Sequence, residues 1–174
     1  FVRVKSIRPS YHWCGTTGVR AWCYPERGQI WRYVKTRNVY LCPTDDKLPA
    51  KNIPTTNIPA GLTQKDYALS YSMNCRFDWD PSTPGPVKIS AVARTRQVLC
   101  LIHERRDVSN GINDGDFNWW DNGNDVPCGV HYTGSTLSYL DSHASWRSYE
   151  QLRLDRNSGI WDITPAPNRP PYQL

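Results

Sequence analysis

Scarcity narrows the chemistry of this 174-residue chain first. It has 1 methionine and 3 phenylalanines. No Cys-x-x-Cys pair occurs, so the usual spacing of a structural zinc site is missing. There is no Gly-x-Ser-x-Gly elbow and no cysteine flanked by a hydrolase signature, so the chain offers no activated nucleophile and reads as a non-enzyme. The longest apolar run, Val98-Leu99-Cys100-Leu101-Ile102, falls far short of the roughly 20 residues that cross a bilayer. Membrane attachment is therefore expected only through a helix outside this chain. No Asn-x-Ser/Thr sequon is present, and Phe1 to Lys5 show neither an initiator Met nor a signal h-region, which points to a processed or truncated chain.

What is abundant points to β structure. The chain carries 8 Trp, 10 Tyr, 14 Pro and 11 Gly, a composition that favours short strands and ordered loops over a helical bundle. Its length suits one core, expected over residues 1–163, with a Pro-rich tail at 164–174. The net charge of +5 is interspersed with 16 acidic residues, a solvated surface rather than a nucleic-acid footprint. Arg94, Arg96, Arg105 and Arg106 flank the apolar run as gatekeepers against aggregation. Six cysteines, Cys14, Cys23, Cys42, Cys75, Cys100 and Cys128, are even in number and lack metal spacing, which suggests disulfides and an oxidising, extracellular compartment. Only eight residues separate Cys14 from Cys23, the favoured pair; the other pairings stay open.

The expected fold is α+β, dominated by an antiparallel sheet. Ile30, Trp31, Tyr33 and Val34 space as a short helix near 28–36 with its apolar stripe toward the core. Tyr67 to Asn74 alternates as a strand with one buried face, and Val98 to His103 fits a strand buried on both faces. Asp107 to Gly129 is a long Asp/Asn/Gly/Trp loop. Ser135–Leu140 and Ala144–Leu152 read as two strands of a hairpin around Asp141-Ser142-His143, and Ile160–Ile163 as one further strand.

Several of these segments, in order, resemble type IV pilin-like and pseudopilin proteins that carry a C-terminal signature of His, nine residues, then Asp-Gly. Gly28 to Lys35 followed by Val39-Tyr40-Leu41-Cys42-Pro43-Thr44-Asp45 looks like that family's helix and Cys-Pro element. Leu69 to Asn74 looks like its Ser-Tyr-x-Met-Asn strand, and Thr95 to Glu104 like its apolar strand. His131 and Asp141 fall where the signature would be, with Ser142 in place of the family's Gly, a substitution uncomfortable at positive φ. The long apolar N-terminal helix of the family is missing from this sequence. The resemblance implies the head of a structural subunit in an extracellular filament or secretion pseudopilus, with copies of itself as partners; three explanations for the missing helix stay open, removal to give a soluble domain, supply by a separate short helical subunit, or a head that has lost its pilin role.

Three site readings follow. Asp114, Asp116, Asp121 and Asp125 gather oxygen ligands on a Gly-rich loop, which suits calcium, although the same residues build Asx turns and lack EF-hand spacing. His131 and Asp141 are expected to approach across a turn and hydrogen-bond as a structural pair. Trp79, Trp119, Trp120 and Trp146 support the competing function, a secreted carbohydrate-binding or adhesin module. For calcium, chelation should lower the melting temperature by several degrees and added calcium should restore it; an unchanged melt removes that ion from the account.

Overall fold

A computed structural model describes residues 13–14, 25–45, 69–74, 77, 89–92, 94–106, 112, 115–117 and 125–157. These form a small α+β domain: a five-stranded, mostly antiparallel sheet with two short helices. The helices are α1 (Trp31–Val34) and α2 (Tyr149–Asn157). The strands are β1 (Tyr71–Asn74), β2 (Leu99–His103), β3 (Asp116–Phe117), β4 (Gly134–Tyr139) and β5 (Ala144–Ser148). Their order across the sheet is β3-β1-β2-β4-β5, with only β3 and β1 parallel. No described helix is long and apolar enough to cross a membrane.

The apolar run takes the centre of the sheet, as its hydrophobicity requires. β2 pairs antiparallel with β1 and β4, and its register against β4 shifts between Leu99 and Leu101. That bulge breaks the period of two and divides the strand between two cores. Leu99 and Ile102 pack with Phe117, Leu137, Tyr139 and the α2 residue Leu152. Leu101 instead packs against Trp13, Cys14, Tyr40, Leu69, Met73 and Ile112. His103, two residues beyond Leu101, therefore shares the second face, beside its cross-strand neighbour Tyr71.

Four expectations are corrected by the structure. The helix near 28–36 is a single α-turn flanked by 3-10 turns at Pro25–Arg27 and Arg37–Tyr40, and Lys35 ends it at φ 49°. Ile30, Trp31 and Val34 pack partly on the core, but Tyr33 points outward, 73% exposed. β1 has no solvent face: Ser70, Ser72 and Asn74 are as buried as Leu69 and Met73. Within the acidic loop, Asp116–Phe117 forms the parallel edge strand β3. The second hairpin strand stops at Ser148, and the residues expected to continue it to Leu152 turn into α2. Ser148 Oγ accepts the Gln151 N–H at 3.2 Å, the capping geometry of a Ser-x-x-Gln sequence, and Glu, Gln, Leu and Arg then favour helix. Cys23, Cys75, the strand expected at 160–163 and the tail lie outside the described residues.

The hairpin itself stands where expected, with Ser138 opposite Ala144 and Ser142 at φ 74°. A left-handed backbone costs a residue with a Cβ about 1–2 kcal/mol. Ser142→Gly should therefore stabilise the domain by about 0.5–1 kcal/mol after glycine's greater unfolded-state entropy is subtracted, measured as a higher urea midpoint.

Candidate metal centre

Two short turns and one strand end deliver five side chains to one place. At the first turn, Asp45 N–H donates to the Cys42 carbonyl at 2.9 Å, so Cys42-Pro43-Thr44-Asp45 curls and sends both end groups the same way. This turn is pinned to the sheet because Cys42 N–H donates to Ser70 Oγ at 2.9 Å. The second turn is Gly129 to Thr133, closed by Thr133 N–H donating to the Gly129 carbonyl at 3.1 Å, and Cys128 just before it is anchored by its N–H donating to the His103 carbonyl at 2.8 Å. His103, the last residue of β2, stands between them.

The side chains form a chain of contacts. Cys42 Sγ lies 3.3 Å from His131 Nε2, and the ligand atoms of Cys42, His103 and His131 all lie within 4.8 Å of one another. On the other side, His103 Nε2 is 2.7 Å from Asp45 Oδ2, and Cys128 Sγ donates a long 3.9 Å bond to Asp45 Oδ1. The ligand atoms of Asp45, His103 and Cys128 likewise lie within 4.8 Å of one another. Asp45 and His103 are wholly buried, Cys42 and Cys128 nearly so, and His131 is half-buried. Tyr71 closes the wall, its ring centroid 5.2 Å from that of His103. Burial, reinforced by Cys42, pushes the Tyr71 hydroxyl pKa up.

One strained turn presents His131. Tyr132 and Thr133 sit at φ 53° and 58°, and Gly134 N–H donates to the His131 carbonyl at 3.1 Å. Positive φ at both central residues marks a type I′ turn, normally built from Asn and Gly. Gly134 is required there, since a Cβ would collide with the Arg147 carbonyl and the Trp146 indole.

His131 and Asp141 do not pair. They stand at opposite ends of β4; His131 meets Cys42, whereas Asp141 Oδ1 is 2.5 Å from His143 Nδ1. Of the acidic-loop residues, Asp116 lies in β3 and Asp125 is buried, while Asp114 and Asp121 lie outside the described residues. Cys14 is buried near the Trp13–Tyr40 stack, and no disulfide joins the four described cysteines to one another. Arg106 is buried and is no surface gatekeeper. Among the tryptophans, Trp146 is exposed and Trp13 is core; Trp79, Trp119 and Trp120 lie outside the described residues. Sequence reasoning looked for Cys-x-x-Cys and passed over Cys42-x-x-Asp45 and Cys128-x-x-His131, which carry the same turn spacing with mixed ligands.

No family model matches the chain, and neither a curated protein nor a solved structure matches it at a significant level.

The two His–Asp pairs should behave oppositely. Asp45→Ala leaves a buried imidazole without its charged partner and should cost about 2–3 kcal/mol in urea unfolding. Asp141→Ala, at the surface, should leave the midpoint within error. The His143 hydrogen bond holds the Asp141 carboxyl below its ordinary value. The contribution of that pair is therefore present above the unfolded carboxylate pKa and lost as pH falls through the depressed folded one, which NMR of the 141–143 turn will follow.

Proposed function

We propose that this chain is the head of a non-enzymatic structural subunit, of pilin or pseudopilin type, in a filament or secretion pseudopilus outside the cytoplasm. One observation carries the reading: the four segments on which the resemblance rests are neighbours in space. Cys42-Pro43-Thr44-Asp45 abuts β2 through Asp45 and His103, the Ser-Tyr-x-Met-Asn segment is β1 beside β2, and His131 and Asp141 bracket β4 on the other side of β2. These segments thus supply three adjacent strands of the sheet and the turn packed against it. Ser142 adds to this, because the position where the family carries Gly has the backbone conformation that favours Gly.

In this reading the domain does no chemistry and works by surface. Tyr132 is 92% exposed, and Trp146 and Tyr149 are exposed near it, since Trp146 Nε1 donates to the His131 carbonyl and Tyr149 N–H to that of Thr133. Aromatic area of this kind is what subunit contacts bury. Disulfides involving Cys23 or Cys75, calcium on the acidic loop and a separate helical subunit remain parts of the proposal.

The same aromatics support a second reading, a glycan-binding or adhesin module stacking sugars on Trp146 and Tyr132. Immunogold electron microscopy of the producing cells separates the two. Labelled filaments or short surface pili are expected, and their loss in a Tyr132→Ala strain would follow from the packing role. Label without filaments, together with micromolar, Trp146-dependent retention on one polysaccharide, would favour the module instead.

A further inference from the structure

The cluster at the end of β2 is better provided with metal ligands than a polar hydrogen-bond network needs to be. We propose that Cys42, His103 and His131 bind one zinc-class divalent cation, with Asp45 and Cys128 as the outer groups that orient His103. The inference is independent of the filament reading.

His103 decides it. Its ring is fully buried, and its Nε2 lies 2.7 Å from the Asp45 carboxylate, an acceptor, so Nε2 carries the proton. That assignment leaves the lone pair on Nδ1, and Nδ1 is buried with no hydrogen-bond partner. A basic nitrogen shut away from water without a donor is costly. A metal ion removes that cost, and a carboxylate on the far nitrogen is the usual companion of a metal-bound histidine.

The other two ligands are suitably placed. In a tetrahedral site with Zn–N of about 2.0–2.1 Å and Zn–S of about 2.3 Å, neighbouring ligand atoms stand about 3.3–3.8 Å apart. Cys42 Sγ and His131 Nε2 are already 3.3 Å apart, and one of the two ring nitrogens of His103 lies within 4.8 Å of both. One thiolate and two imidazoles make a borderline-soft set that selects zinc over calcium or magnesium. Charge closes as well: a Cys42 thiolate and the Asp45 carboxylate together offset the two positive charges of the ion, as a buried site requires. Three protein ligands leave the fourth position to water, and half-buried His131 gives the ion a way in.

The Cys128 thiol donates to Asp45, which accepts from His103, so removal of Cys128 disturbs the ion only through two intermediaries. This difference makes the assignment testable. The reduced, metal-stripped full chain is titrated with cobalt(II), and absorption is recorded. One equivalent should bind, with an intense thiolate-to-cobalt charge-transfer band and visible bands of tetrahedral strength, all removed by added zinc. Cys42→Ser should abolish the charge-transfer band. His131→Ala should weaken binding by about 100-fold or more, and Cys128→Ser should keep the band while weakening binding about 10–100-fold. Cys100→Ser, a cysteine outside the cluster, should change nothing. Because Cys42→Ser is buried and can impair folding, the wild-type titration stands alone as a test: absence of a charge-transfer band from folded, reduced protein overturns the proposal. So does an undiminished band in folded Cys42→Ser, or binding of copper but neither cobalt nor zinc.

Discussion

A buried carboxylate facing a buried imidazole at the end of the central strand is the constraint around which the domain is arranged. Neither Asp45 nor His103 reaches water, so each must be satisfied from within, and the segments that supply the partners are far apart in the chain. Asp45 arrives 58 residues before His103, and Cys42 and His131 meet across 89 residues. Closing such long loops is entropically costly, and burial of the two apolar cores beside β2 offsets it. Holding His103 in place fixes the end of β2, and β2 in turn aligns β1 and β4.

The rest of the polar interior follows the same logic. Ser72 Oγ donates to the Glu104 carboxylate, Asn74 Nδ2 to the Leu99 carbonyl, and Ser135 Oγ to the His103 carbonyl. These bonds explain how a sheet with so few large aliphatic residues buries both faces of β1: small polar side chains fill the space and satisfy strand ends and the bulge at Cys100. Backbone strain also stands beside the cluster. The type I′ turn of Tyr132 and Thr133 keeps an unfavourable conformation because it aims His131 at Cys42 and exposes Tyr132, so one turn serves both the interior site and the outer surface.

Hydrophobic pattern made part of this visible in the sequence. β2 was legible because five apolar residues in a row have no other place in a small domain, and the β4–β5 hairpin because alternation brackets Asp141-Ser142-His143. What stayed hidden depended on long-range partners or on polar residues used as core. Ser70 just before β1 and Ser72 within it look like a solvent face until Cys42 and Glu104 are brought beside them. α2 was hidden because the strand reading ran on past Trp146 to Leu152, although Tyr149 and Leu152 stand three apart and Ser148 and Gln151 carried a cap signal. The Cys/His/Asp cluster had a local trace in Cys128-x-x-His131 and Cys42-x-x-Asp45, but His103 has no local partner in sequence. His131 and Asp141, paired by the signature, serve different ends of β4, each with a nearer partner.

The central claim is that an ion with one sulfur and two nitrogen ligands sits where β2 ends. X-ray absorption at the zinc edge, on protein isolated without added chelator, measures this directly. The account predicts one sulfur at about 2.3 Å and two imidazole nitrogens at about 2.0–2.1 Å. A first shell made only of oxygen, or one with no sulfur, would contradict it.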